Sequence, residues 1–187
     1  LGRWRGGNWN MVFVGVTNPP CEPPGDWASQ PYTVIERTSV IREKPYLFID
    51  EAGGYAVTVP ELSKPEGSRG TTWKALSDAR PAEGQTIPID RFHIARPDRD
   101  SAASMNAALT AGLSLILTPG TYQLDEPIRV GRSGTVVLGL GYPTLITTKG
   151  TEAVVVGDVD GVCVAGVLLE AGPSESPTLL RVGTAPR

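Results

Sequence analysis

The chain has 187 residues, a length that fits one ordinary domain or a small β domain followed by the start of a second. It holds 22 glycines and 17 prolines, and only 6% of its residues are aromatic, which favours short strands and tight turns over long helices. The 17 basic and 20 acidic side chains are interspersed and give a net charge of -3, so neither nucleic acid nor a membrane is expected as a partner.

The first part of the chain, residues 1–62, is predicted to be a small irregular β region that ends a preceding domain. The last two β patterns of this region are separated by Glu51-Ala52-Gly53-Gly54, a spacing that predicts a hairpin with glycine at positive φ. Residues 63–95 are predicted to form a linker and a lead-in strand, because residues 63–84 are polar and rich in glycine, proline and charge. The four β patterns of the first part are 9–16, 32–37, 46–50 and 55–60.

One short amphipathic helix is predicted at residues 101–111. Asp100-Ser101 offers an N-cap, and Gly112 stands where helices commonly end in a glycine. Between them, apolar residues recur at helical spacing. They are Ala102, Met105, Ala108 and Leu109.

Short apolar strands separated by turn residues follow from residue 113 onward. Such strands do not form a stable free-standing meander, but they suit a solenoid, in which each strand pairs with its counterpart one coil of roughly 20 to 30 residues later. Residues 96–187 are therefore predicted to be the N-terminal cap and first coils of a parallel β-helix, and the fold is predicted to be mainly β. The helix is expected to cover the end of the stack, where open strand edges would invite aggregation. The predicted strands are 113–117, 122–124, 128–130, 136–140, 145–147, 154–156, 162–169 and 179–182.

Two stretches, DSAASMNAAL at 100–109 and LILTPGTYQLDEPIRV at 115–130, resemble the N-terminal cap and first coil of the pectate-lyase-like β-helix superfamily. The continuation through TVVLGLG, DVDGV and AGP is similar to proteins related to glycoside hydrolase family 55, a family associated with exo-acting β-1,3-glucanases. The resemblance covers the last half of the chain and implies a right-handed, single-stranded parallel β-helix.

The same resemblance carries expectations about function. It implies a fragment of a secreted, extracellular enzyme whose partners are a polysaccharide, β-glucan first, and the remainder of the parent chain, without a cofactor. It also implies that the catalytic acid lies in later coils. Two other classes stay open, a non-catalytic carbohydrate-binding or adhesion β-helix and a polysaccharide lyase, because β-helices host many functions.

Asp158 and Asp160 are the candidates for catalytic carboxylates within the chain. On a strand they would share a face about 7 Å apart, a separation compatible with an acid pair or with calcium ligation. Glycine flanks the motif on both sides, at Gly157 and Gly161, which is more typical of a turn. The turn is therefore the favoured interpretation, and no metal site is predicted.

Trp4 and Trp9 are the candidates for contact with substrate. Aromatic faces stack on the apolar surfaces of sugars, and polar side chains next to these two tryptophans offer hydrogen-bond donors. Packing in a core or at a domain interface is the alternative interpretation. The polar neighbours are Arg3, Arg5, Asn8 and Asn10.

The sequence gives no complete motif for nucleotide binding, for catalysis by a histidine base or for a cysteine metal site. Gly139-Leu140-Gly141 begins like a dinucleotide-binding fingerprint, but Pro143 stands where the phosphate-binding helix should start. His93 is the only histidine and lies on a predicted strand, so it is interpreted as a partly buried residue rather than a catalytic base. Cys21 and Cys163 are too far apart in sequence to indicate a metal site, and a single bridge between them stays open.

Overall fold

The computed structural model describes residues 11–14, 18, 32–35, 42–50, 52–62 and 84–183. The chain divides into two compact units, Leu1–Glu43 with Pro60–Glu83, and Lys44–Val59 with Gly84–Arg187. Within the first unit, strands β1 (Met11–Val14) and β2 (Tyr32–Ile35) pair in parallel. None of the helices in the described part of the chain has the length and apolar character needed to span a membrane.

A small sheet precedes the β-helix and has the order β3 (Tyr46–Ile49), β4 (Tyr55–Pro60), β5 (Gly84–Pro88). The predicted hairpin is confirmed, because β3 and β4 pair antiparallel and Gly53 in their turn has a φ of 82°. A 3-10 turn at Ile89–Arg91 then leads into strand β6 (Phe92–Ala95).

In the described part of the chain, three coils of three short strands each belong to the parallel β-helix. Every strand pairs in parallel with the equivalent strand of the next coil, and β6 adds a fourth strand to the first sheet, so the three sheets have the orders β6-β7-β10-β13, β8-β11-β14 and β9-β12-β15. The first coil comprises β7 (Ser114–Leu117), β8 (Thr121–Leu124) and β9 (Ile128–Val130). The second comprises β10 (Val136–Gly139), β11 (Thr144–Thr147) and β12 (Val154–Val156), and the third β13 (Cys163–Ala165), β14 (Leu168–Ala171) and β15 (Leu180–Val182).

The spacing of the pairs confirms the solenoid prediction. Leu115 pairs with Val137 and Val137 with Val164, so the repeat is 137 − 115 = 22 residues and then 164 − 137 = 27 residues. Both values fall in the range expected for one coil. The predicted fold class, mainly β with a right-handed parallel β-helix behind an N-terminal cap, is correct.

Burial explains why some of these strands alternate in sequence and others do not. β8 alternates exposed and buried residues because only its inner face is covered. All residues of β7 and β10 are buried, since both faces of their sheet are covered. Leu115 points into the core of the coils, whereas Ile116 and Leu138 pack outward against Val57 and Val59 of β4. The small sheet therefore covers the outer face of the first sheet of the β-helix.

Helix α1 (Ala102–Thr110) closes the end of the stack, as predicted. The Ser101 hydroxyl oxygen accepts the Ser104 amide at 3.3 Å, and Gly112 follows the helix with a φ of 90°, so both predicted end signals are in place. One side of the helix is buried in the same core as the first coil. That core includes Ala102, Met105, Leu109, Leu115, Leu117 and Ile128, with Ala108 partly buried against it.

One predicted strand, 162–169, is wrong. The structure divides it into β13 and β14, because the chain turns a corner at Gly166, which has a φ of 71°. An added Cβ at Gly166 would collide with the carbonyl oxygen of Gly139 in the coil below. In the sequence, the only sign of this corner is one glycine inside a run of apolar residues, and such a run predicts a continuous strand.

The predicted domain boundaries at 62/63 and 95/96 stay predictions. Near the second boundary, β6 pairs in register with β7, from Phe92 with Ser114 to Ala95 with Leu117. The hairpin of β3 and β4 supplies Val57 and Val59 to the packing on the β-helix.

Candidate functional site

Asp158 and Asp160 both lie in the turn between β12 and β13, and both are exposed. The carbonyl of Asp160 accepts the amide of Gly134 at 2.9 Å, which ties this turn to the turn one coil below. The shared face that would favour an acid pair requires a strand, and neither residue is on one. The turn interpretation is therefore correct, and a catalytic role for either carboxylate stays a prediction.

Trp4 and Trp9, the predicted sugar contacts, lie outside the described residues, and their role stays a prediction. Cys21 also lies outside the described residues. Among the residues that the structure does describe, no group of three or more histidine, cysteine, aspartate or glutamate side chains could hold a metal ion.

An apolar cavity of about 330 Å³ opens at the third coil. Its walls are mainly valine side chains of the coil interior, with Asp160 and Gly161 at one side. A sugar site needs several polar groups that converge on the hydroxyls, and this cavity offers one carboxylate. The cavity is therefore not a candidate sugar site, and Leu180 and Val182 in its wall are exposed continuations of the inward-facing Val154 and Val156 of the coil before. The apolar residues that line it are Val156, Val159, Val162, Val164, Leu180 and Val182.

His93 and Asp100 form the most enclosed ionic contact that the structure describes. Nε2 of His93 lies 2.8 Å from the Asp100 carboxylate, whose side chain is 12% exposed. The carboxylate also accepts the amide of Arg96 at 2.9 Å and the hydroxyl of Ser104 at 2.9 Å. Burial alone would raise the pKa of Asp100, but these hydrogen bonds, led by that of the Arg96 amide, together lower it.

This cluster is structural rather than a nucleophile with its base. A serine nucleophile needs its hydroxyl on the histidine, and here the Ser104 hydroxyl donates to Asp100 instead. The carboxylate joins β6 to the first turn of α1, at the point where the cap begins. The interpretation of His93 as a partly buried structural residue therefore agrees with the geometry.

Replacing Asp100 by Asn is expected to cost roughly 2 kcal/mol of unfolding free energy at pH 7, because hydrogen bonds to a charged acceptor contribute more than those to a neutral one. A carboxyl whose pKa is lowered by folding stabilises the fold above its unfolded pKa, and this stability is lost as pH falls through the folded pKa. The difference from wild type should therefore shrink below about pH 4. Urea unfolding of both proteins at pH 7 and at pH 3 measures this difference in unfolding free energy.

Asp98→Asn is the matched control for this prediction, because the Asp98 side chain is 72% exposed and lies 3.8 Å from Arg99. Exposed pairs of this kind contribute about 0–1 kcal/mol. An Asp100→Asn variant whose loss of stability is the same at both pH values would contradict the assigned role of the charge.

A second ionic contact lies on the outer face of the β9-β12-β15 sheet. Nε of Arg181 donates to the Glu152 carboxylate at 2.7 Å, and this bond lowers the pKa of Glu152. Arg129, Val155 and Arg181 stand in register on successive coils of that sheet. The contact links the second and third coils and leaves Glu152 paired with a cation.

Tyr142 is an exposed residue between the second glycine of the incomplete nucleotide-binding motif and Pro143. It lies in the turn between β10 and β11 and has a φ of 56°. The available signal was a bulky side chain between Gly141 and Pro143, in the longest of three equivalent turns. Turn lengths become comparable only once the coil register is known.

Comparison with known proteins gives matches along nearly the whole chain. A family model described as the LAM55 pectate lyase-like domain matches residues 92–187. A protein of Streptomyces sp. (strain SirexAA-E / ActE) named Exo-beta-1,3-glucanase is 45% identical over 184 residues, which are 98% of this chain and 29% of that protein.

Two solved structures of sacteLam55A from Streptomyces sp. SirexAA-E are also similar. The first has a TM-score of 0.76 and 43% identity, and the match covers 94% of this chain and 30% of the other. The second, a variant in complex with glucose, has a TM-score of 0.77 and 44% identity, with the same coverage of 94% and 30%. The chain thus spans less than a third of the length of the relatives it matches.

Proposed function

The chain belongs to the family of LAM55 pectate lyase-like domains, and on this basis we propose that it is a segment of a secreted glycoside hydrolase that acts on β-1,3-glucan. The observation that carries the proposal is the 45% identity over 184 residues with a protein named Exo-beta-1,3-glucanase. The enzyme is proposed to work outside the cell, where its polymeric substrate is found.

Within that enzyme, the segment supplies the capped first coils of a β-helix. Hydrolysis of a glycosidic bond needs two carboxyl groups on opposite sides of the bond. Asp158 and Asp160 lie together in one exposed turn, and Glu152 is held in an ion pair. The catalytic acid is therefore proposed to come from the remainder of the parent chain, while this segment gives the scaffold and contacts to the glucan, with Trp4 and Trp9 as predicted contacts.

A chimera tests the proposal. The matching segment of the Streptomyces enzyme is replaced by this chain, and release of glucose from laminarin, a soluble β-1,3-glucan, is measured. Hydrolysis is expected to be retained, because the two segments share fold and close to half of their residues. A chimera with an unchanged thermal midpoint that does not hydrolyse laminarin would contradict the proposal, and retained laminarin binding without hydrolysis would favour a non-catalytic carbohydrate-binding β-helix.

The isolated chain is expected to release no reducing sugar from laminarin, because both candidate carboxylates lie in one exposed turn, whereas a glycosidase mechanism needs two carboxyl groups on opposite sides of the bond. The measurement is a reducing-end assay with pure protein, and the chimera serves as positive control. Activity that disappears in Asp158→Asn or Asp160→Asn would overturn this expectation and assign the chemistry to the turn.

A further inference from the structure

Equivalent corners join the β6-β7-β10-β13 sheet to the β8-β11-β14 sheet in the three coils. They consist of residues 118–120, 140–143 and 166–167, so the corner of the second coil is the longest. This corner carries Tyr142, which is 66% exposed. The extra length of the corner thus presents an aromatic ring to solvent.

The backbone of Tyr142 is in an unfavourable conformation. Its φ of 56° lies in the left-handed region, which bulky L residues rarely adopt. Pro143 follows directly, and a residue before proline normally has an extended backbone with negative φ. Glycine would fit this position better than tyrosine, and a mostly exposed ring adds little to the core.

Two neighbours complete what we call the Tyr142 corner, defined as Lys44, Tyr142 and Leu168. Nζ of Lys44 lies 5.4 Å from the centroid of the tyrosine ring, within the range of a cation–π contact. The amide of Leu168 donates to the carbonyl of Pro143 at 2.9 Å, and the Leu168 side chain is 52% exposed. The tyrosine ring and the lysine ammonium therefore meet at one place on the surface, and the main chain of Leu168 is bonded to the residue that follows the tyrosine.

Backbone strain of this kind persists where a residue serves a role other than stability. We propose that the Tyr142 corner is a binding subsite for one glucosyl unit of a β-1,3-glucan. The tyrosine ring stacks on a C–H face of the sugar, since the ring face is electron-rich and apolar. Because Nζ of Lys44 stands over the ring, the sugar is proposed to stack on the opposite ring face, and the ammonium holds the ring in position through the cation–π contact. The identity of the sugar rests on the proposed function.

The test compares three variants of the full 187-residue chain for laminarin binding by calorimetry. Tyr142→Gly removes the ring and relieves the backbone, and it is expected to weaken binding about tenfold while the thermal midpoint stays equal or rises. Tyr142→Phe keeps the ring, and its affinity is expected to stay within about threefold of wild type. Lys44→Met keeps the stem of the lysine without its charge, and it is expected to weaken binding by roughly threefold.

Three results would overturn the inference. They are a Tyr142→Gly variant with wild-type affinity, a Tyr142→Gly variant with a clearly lower thermal midpoint, and a folded wild-type chain without affinity for laminarin. The same substitution in the chimera should raise KM for laminarin and leave kcat nearly unchanged, as expected for a subsite remote from the reacting bond. A hydrolysing chimera whose KM does not respond to Tyr142→Gly would reject the subsite and leave the proposed function standing.

Discussion

Replacing Leu109 by Asp should remove several kcal/mol of unfolding free energy, a large part of the 5–15 kcal/mol typical of a whole domain. Leu109 is 7% exposed and belongs to the core that α1 shares with the first coil. The new carboxylate would have to be buried there without a partner or drive the helix off the stack. Chemical unfolding followed by circular dichroism measures the loss.

Detachment of α1 would also uncover an edge of the β-helix. The Asn106 amide nitrogen donates to the carbonyl of Pro127 at 2.9 Å, and the Asn106 oxygen accepts the amide of Arg129 at 2.8 Å. The asparagine thereby fills, at the edge strand β9, the place that a strand of a preceding coil would take. Light scattering should therefore show that Leu109→Asp associates, since open strand edges pair between molecules.

Ala107→Asp is the control, because Ala107 lies on the exposed side of the same helix. It carries the same added charge two residues away and should cost less than about 1 kcal/mol. A Leu109→Asp protein that stays monomeric, with the thermal midpoint of Ala107→Asp, would show that α1 does not act as a cap.

The cap and the solenoid were predictable because their signals are local. A serine before an apolar helical pattern and a glycine after it define α1 without any knowledge of the rest of the fold. Strands too short to form hairpins, repeated along the chain, indicate a solenoid by elimination. The family resemblance, drawn from residues 100–109 and 115–130, is confirmed by the LAM55 match over residues 92–187.

The features that sequence reasoning missed all depend on contacts between coils or between sheets. The break at Gly166 follows from the approach of Gly139 in the neighbouring coil. The full burial of β10 follows from β4, which lies more than seventy residues earlier in the chain. The prominence of Tyr142 follows from a comparison of turn lengths across coils. Each of these features depends on residues that are far apart in the sequence, so a pattern of neighbouring residues cannot predict it.

The candidate site was less predictable than the fold for a chemical reason. In the sequence, Asp158 and Asp160 are a candidate pair only because they are two residues apart. Two carboxylates at this spacing share a face on a strand, but the same spacing is equally common within a turn. Flanking glycines favoured the turn, and the structure places both residues there. Spacing within one segment also cannot reveal a pair of carboxylates whose second member lies on a different segment of a longer chain.

Replacing Gly139 by Ala should lower the unfolding free energy by roughly 3 kcal/mol, the upper part of the usual range for overpacking. A Cβ at this position would collide with the carbonyl oxygen of Gly166 and lie 2.9 Å from Cδ of Pro143. The Gly166 oxygen belongs to the main chain and the Pro143 carbon to a ring, so neither atom can move aside as the end of a flexible side chain would. The second and third coils would have to separate at this corner, with a loss of ladder pairing between β10 and β13.

Gly131→Ala is the matched control, because a Cβ added at Gly131 meets nothing within 4 Å. It should be neutral or stabilise the chain by up to about 1 kcal/mol, since alanine restricts the unfolded chain more than glycine does. For a chain of this size the two variants should then differ in thermal midpoint by roughly 6–16 °C. If Gly139→Ala melts together with Gly131→Ala, the two coils do not approach each other closely at Gly139 and Gly166, and the register of the stack at this corner is wrong.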